Sequence, residues 1–131
     1  MNKGLITEYL STYANTPIEY GTVDCHIMAL TVIDMIIGTQ YKDEIYQKYK
    51  SASGGRKYAK NNCTYPTLKK LCEDKGELVD TPRDGDILLA NDHCTVFWRD
   101  KVIVLNDEKV FKVQRYSQED NNYKVYRFTE E

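Results

Sequence analysis

Four cysteines and two histidines are the side chains of this 131-residue sequence best suited to nucleophilic or metal chemistry. Cys25 stands out by its setting. It follows Tyr20-Gly21-Thr22-Val23-Asp24 and precedes a mostly apolar run at residues 27–37. That order predicts a tight loop delivering a cysteine to the first turn of a buried helix. A helix N-terminus carries about half a positive charge, which favours the thiolate, the reactive form of the side chain. Much further on, Gly85-Asp86-Ile87-Leu88-Leu89-Ala90-Asn91-Asp92-His93 reads as a strand, a turn and a histidine opening a second strand. A cysteine on a helix and a histidine on a sheet are the two halves of a thiol-based acyl-transfer site. The imidazole takes the thiol proton and the sulfur attacks a carbonyl carbon.

His93 is preferred to His26 as the base. His26 adjoins Cys25 on one helix, where successive residues do not face each other, so it reads as a half-buried or surface histidine. A third group would accept the other ring N–H and orient the imidazole. Asn106 is the expected one, because it ends the strand that would pair with the strand of His93. Asp86, Asp92 and Asp107 are the other polar residues near in sequence. Gly21, as the pivot of the loop, leaves backbone N–H groups near the helix start where an oxyanion could be held. Tyr20 and Asp24 are expected to line that region, Asp24 also as the helix N-cap. The plain alternative for Cys25 is a small hydrophobe opening a core helix.

Cys25, His26, Cys63, Cys72, His93 and Cys94 would supply soft ligands for zinc, but none has the short C-x2-C spacing of a zinc site. The adjacent pairs Cys25-His26 and His93-Cys94 point their side chains apart. Neither a metal nor a cofactor is expected.

The elements that must position these residues follow from periodicity and punctuation. Residues 3–14 place Leu5, Ile6, Tyr9, Leu10 and Tyr13 on one helical face, and Pro17 ends that helix. Residues 25–37 form a central helix, apolar nearly all round, with Gly38 as its stop. Residues 41–49 predict a more polar helix with Ile45, Tyr46 and Tyr49 inward. Residues 51–55 predict a flexible loop, residues 56–61 a short helix, and residues 64–76 another helix with Leu68, Leu71 and Cys72 inside. The period then changes. Residues 86–90, 94–98, 101–105, 110–113 and 123–128 read as strands, with Arg99-Asp100 as a hairpin turn. Helices first and antiparallel strands afterwards is the α+β class, in one domain over residues 1–131.

A net charge of −2 with no basic stripe argues against nucleic acid as a partner. The longest apolar run is too short for a bilayer span and is broken by Asp34, so no membrane is expected. Residues 1–8 lack the apolar block and cleavage site of a signal peptide. The expectation is a chain made in a cytoplasm, with its four cysteines free. The charged stretch Lys42-Asp43-Glu44 and the tail Glu130-Glu131 read as solvated.

The segment Tyr20-Gly21-Thr22-Val23-Asp24-Cys25-His26-Ile27-Met28-Ala29 resembles the nucleophile motif of NlpC-type papain-like cysteine peptidases. Gly85-Asp86-Ile87-Leu88-Leu89 and His93-Cys94-Thr95-Val96-Phe97 are similar to that family's two following strands. The resemblance covers roughly residues 18–107. It implies a papain-like fold, N-terminal helices packed on a C-terminal antiparallel sheet, with Cys25 as nucleophile, His93 as base and a polar third residue near Asn106. It implies hydrolysis of a peptide or amide bond, in a peptidoglycan stem peptide or a phage structural protein. Compact phage-encoded relatives, associated with tail assembly and the virion, are the most similar kind. The chain departs from the pattern at His26, where serine is usual, and at Thr95, where glycine is usual. These departures support a second reading, a catalytically inactive papain-like binding or tail-assembly protein.

Overall fold

The computed structural model describes residues 2–91, 93–117 and 122–130. Asp92 and Glu131 lie outside the described residues. Four helices come first: α1 (Lys3–Ser11), α2 (Cys25–Ile37), α3 (Ala52–Asn62) and α4 (Leu68–Lys75). Six strands follow: β1 (Glu77–Val79), β2 (Ile87–Leu89), β3 (Cys94–Val96), β4 (Lys101–Leu105), β5 (Phe111–Arg115) and β6 (Lys124–Arg127). The class is α+β. β1, β6, β2 and β3 form an antiparallel sheet in that order, and β4 and β5 form an antiparallel pair.

Local chemistry sets the ends of α2. The Asp24 side chain accepts from the Ile27 N–H at 2.8 Å, a hydrogen-bonded N-cap. Gly38 closes the helix in the left-handed region at φ 72, where glycine meets no penalty. Ile27, Met28, Ala29, Val32 and Ile33 are buried, and α2 packs against β3.

Alternation along the strands sorts side chains between two layers. Ile87, Val96, Ile103 and Tyr126 join the core shared with the helices. Their neighbours Leu88, Phe97, Val102 and Val125 form a second cluster on the opposite face, with Tyr116 and Tyr123 packed against it. β3 and β4 are joined by a two-residue turn. Arg99 and Asp100 have φ of 50 and 66, and Trp98 and Lys101 exchange backbone hydrogen bonds of 2.9 and 3.0 Å. This is the primed-turn geometry that matches strand twist. Beyond the turn, the buried Thr95 hydroxyl stands in for a ladder pair. It accepts from the Ile103 N–H at 3.0 Å and donates to the Ile103 carbonyl at 2.8 Å.

Three expectations are revised. Residues 41–49 hold only a 3-10 turn, Lys42–Glu44, because the Gln47 N–H pairs with the Gly21 carbonyl at 2.8 Å. The loop expected at residues 51–55 is instead the start of α3, with the Ser51 side chain accepting from the Gly54 N–H. Leu5, placed on the inward face of α1 by its spacing, is 52% exposed. No helix among the described residues is long and apolar enough to cross a membrane.

Candidate active site

The loop before α2 is built around one carboxylate. Glu19 and Val23 close it with reciprocal backbone hydrogen bonds of 2.9 and 2.8 Å. Gly21, at its tip, has φ 95. A Cβ there would also lie 2.2 Å from the Tyr49 carbonyl oxygen, so both conformation and space require glycine. Asp24, only 3% exposed, accepts from the Gly21 N–H at 2.8 Å, the Ile27 N–H at 2.8 Å and the Tyr49 hydroxyl at 2.5 Å. Asp24 therefore shapes the loop from beneath instead of lining a substrate surface. Tyr20 stands at the surface, 37% exposed.

Cys25 opens α2 and is partly exposed. The first N–H groups of a helix have no intrahelical partner. Here the Ile27 N–H goes to the Asp24 side chain and the Met28 N–H to the Asp24 carbonyl. Among the described residues, the Cys25 and His26 N–H groups are the first-turn donors that Asp24 does not take.

The neighbour of the Cys25 thiol is Cys94, the first residue of β3. Cys94 is buried, and its Sγ donates to the Cys25 carbonyl at 3.2 Å. A hydrogen bond from the Cys94 thiol pulls the Cys25 pKa down to about 7, against burial and the Asp24 charge, which push it up. Cys94 is driven well above the ordinary thiol range by the same bond and by burial. Of the pair, Cys25 is the sulfur that ionises. The other two cysteines lack such help. Burial raises Cys63 and lifts Cys72 to about 12. All four are free thiols.

His93 is exposed and immediately precedes Cys94. Its Nε2 lies 3.1 Å from the Tyr123 hydroxyl, and the two rings meet edge-on with centroids 5.6 Å apart. Among the described residues no hydrogen bond joins Cys25 to His93. Strand alternation turns the side chain of residue 93 away from the face taken by residue 94. Tyr123 spans the difference, since it contacts His93 and sits within electrostatic range of both Cys25 and Cys94.

Asn106, the expected third group, has another task. Its Oδ1 accepts from the Glu108 N–H at 2.9 Å and the Val110 N–H at 3.0 Å. Those bonds use both lone pairs of the oxygen to fold the turn between β4 and β5. Asp86 is likewise committed elsewhere, to the Arg127 guanidinium. His26 is half-buried and faces a narrow cleft with Leu30, Glu44, Cys63 and Leu71. Burial lowers its pKa. Among the described residues no three His, Cys, Asp or Glu side chains are grouped to hold a metal ion.

Sequence reasoning missed Cys94 and Tyr123 as neighbours. Cys94 carries a weak signal, since it shares the inward face of its strand with Val96. Nothing local points to Tyr123, 30 residues beyond its histidine. No curated protein and no solved structure matches this chain. A family model described as a domain of unknown function, DUF6950, matches residues 3–124, and the chain belongs to that family.

Proposed function

We propose that this protein is a papain-like, NlpC-type cysteine hydrolase that cleaves a peptide or amide bond, with Cys25 as nucleophile and His93 as base. One observation carries the reading: a partly exposed thiol on the first turn of α2, held at about 7 by the Cys94 hydrogen bond. A thiolate so placed is the feature that separates reactive cysteines from structural ones. His93 stands at the head of the strand that packs on α2.

In the proposed reaction the Cys25 thiol gives its proton to His93 and the sulfur forms a bond to the carbonyl carbon. The resulting oxyanion is met by the first-turn N–H groups of Cys25 and His26. The C–N bond then breaks, and the departing amine takes a proton from His93. Water attacks the thioester while His93 takes the water proton. The acyl group leaves as a carboxylate and the Cys25 thiolate returns. The Tyr123 hydroxyl orients the imidazole through Nε2, the task expected of Asn106. A peptidoglycan stem peptide is the substrate proposed first and a phage structural protein the second, with the protein itself carried by the virion.

A second reading is a binding or tail-assembly protein that retains this frame without turnover. It is favoured by the imidazole being bonded to Tyr123 instead of the thiol. The two readings part in one experiment. Purified protein is incubated with isolated bacterial cell walls and with virion proteins, beside Cys25→Ala and His93→Ala variants. The hydrolase releases new amino termini, and each variant loses at least about 100-fold of the rate. Intact substrates with every protein, while binding persists, would establish the second reading.

A further inference from the structure

We propose that Cys25 and Cys94 form an oxidant-driven, reversible disulfide, with Cys25 as the sulfur oxidised first and Cys94 as the resolving thiol. The inference goes beyond hydrolysis and stands whether or not Cys25 turns over a substrate. It rests on the placement of the two residues. Cys94 opens the strand that packs on α2, and its Sγ donates to the Cys25 backbone carbonyl at 3.2 Å, which sets the two thiols beside each other within electrostatic range. The two thiols thus meet at one helix–strand contact. Cys25 is partly exposed and Cys94 buried, so a solution oxidant meets Cys25 first.

The chemistry balances with a hydroperoxide as the oxidant. The Cys25 thiolate attacks the terminal peroxide oxygen, the O–O bond breaks, and Cys25 becomes a sulfenic acid while an alcohol or water leaves. The Cys94 sulfur then attacks the Cys25 sulfur. The S–O bond breaks, the hydroxyl departs as water with the Cys94 proton, and the S–S bond remains. Two thiols and one hydroperoxide give one disulfide, one alcohol (or water) and one water. A dithiol reductant reverses the change. Cys63 and Cys72 are held as thiols by burial and take no part.

The pairing answers a hazard of a low-pKa, accessible cysteine. Without a resolving partner, a sulfenic acid proceeds to sulfinic and sulfonic acids, from which recovery is rare. A buried neighbour that closes the disulfide stops the sequence at a reversible stage. Any nucleophilic activity of Cys25 is silenced by the same bond and restored on reduction.

The test treats the intact protein with a small excess of hydrogen peroxide, quenches it by alkylation, and maps it by mass spectrometry without reduction. The expected product carries two fewer alkyl groups than the reduced protein alkylated at all four cysteines. It yields a Cys25–Cys94 cross-linked peptide that dithiothreitol removes, with Cys63 and Cys72 alkylated. In Cys94→Ala the same treatment carries Cys25 to the sulfinic acid. Oxidation of wild-type Cys25 straight to that acid, or a cross-link through Cys63 or Cys72, would overturn the proposal. The wild-type map alone decides it, so a poorly folding variant does not obscure the answer. Because the readout is mass, a negative cell-wall assay leaves this result untouched.

Discussion

Opposing influences act on the Cys25 thiol. The bond from Cys94 favours the thiolate most strongly, while burial and the Asp24 carboxylate oppose it, and the balance falls at about 7. A thiol is charged when deprotonated, so a lowered pKa means more thiolate at a given pH. At pH 7 roughly half of Cys25 is ionised, against a few per cent of an ordinary cysteine at about 8.5. Iodoacetamide should therefore label Cys25 before the other cysteines in mildly acidic solution. The labelling rate should climb with pH to a plateau with its midpoint near 7. Replacing the donor in Cys94→Ala should move that midpoint upward, towards the free-thiol value. Stopped-time alkylation followed by peptide mapping measures both curves. A wild-type midpoint above 8, or identical curves for the two proteins, would contradict the assignment. The same variant should leave Cys63 and Cys72 slow, because burial, with the nearby Glu44 and Glu73 carboxylates, raises those thiols.

The loop from Glu19 to Asp24 and helix α2 form one device. Gly21 lies so close to Tyr49 that a methyl group would sit 2.2 Å from its carbonyl oxygen, at a φ of 95 that L side chains rarely adopt. Gly21→Ala should cost about 3 kcal/mol through that clash and strain together. Tyr49→Phe removes one of three donors to a buried carboxylate and should cost about 1–3 kcal/mol. Urea unfolding of both variants checks the order, and a Gly21→Ala protein as stable as wild type would discard this account of the loop. The device also marks what was legible in the sequence. The span of α2 was readable to the residue because its two stops, Asp24 and Gly38, act through their own backbone neighbours. The shortfall of helix at residues 41–49 was not, because the Gly21 carbonyl competes for the Gln47 N–H from far along the chain. Residues 51–55 read as loop for their glycines. Yet a Cβ at Gly55 would crowd the Tyr49 ring at 2.9 Å, so that glycine serves packing inside α3. Strand β1 carries no alternation and exists through its pairing with β6. At the site, the place of Cys25 at the start of α2 was readable from its flanking motif, whereas the expected Cys25–His93 contact is replaced by Cys25 with Cys94 and His93 with Tyr123. The partners Cys94 and Tyr123 were not readable, being 69 and 30 residues away and chosen by how α2 and β6 meet the sheet.

At the scale of the molecule, the strand order β1-β6-β2-β3 inserts the last strand between two earlier ones, so the helices and hairpins depend on β6 being seated. Asp86 and Arg127 hold it there. Asp86 is 2% exposed and takes two bonds from the Arg127 guanidinium, Nε at 3.0 Å and Nη2 at 2.8 Å. It also accepts from the Arg83 N–H at 2.8 Å. Arg127 in turn donates to the Thr81 carbonyl at 3.0 Å, which ties down the chain between β1 and β2. Such a fork satisfies both carboxylate oxygens with fixed geometry. Removing one partner leaves the other charge buried without it, the costly case for a buried pair. Arg127→Leu should lose about 3–5 kcal/mol and melt lower by about 10 °C or more. Asp86→Leu combined with Arg127→Leu leaves no orphaned charge and should recover most of the loss. Thermal unfolding of the two single variants and the double variant closes the cycle. Strictly additive losses would show that the pair does not act as a unit. The Cys25 alkylation midpoint should stay near 7 in whichever of these variants remains folded, because the donor that sets it comes from β3 and the ion pair lies at the other end of β2. A midpoint that moved with the ion pair would mean that seating β6 also sets the contact between α2 and β3, through Tyr123.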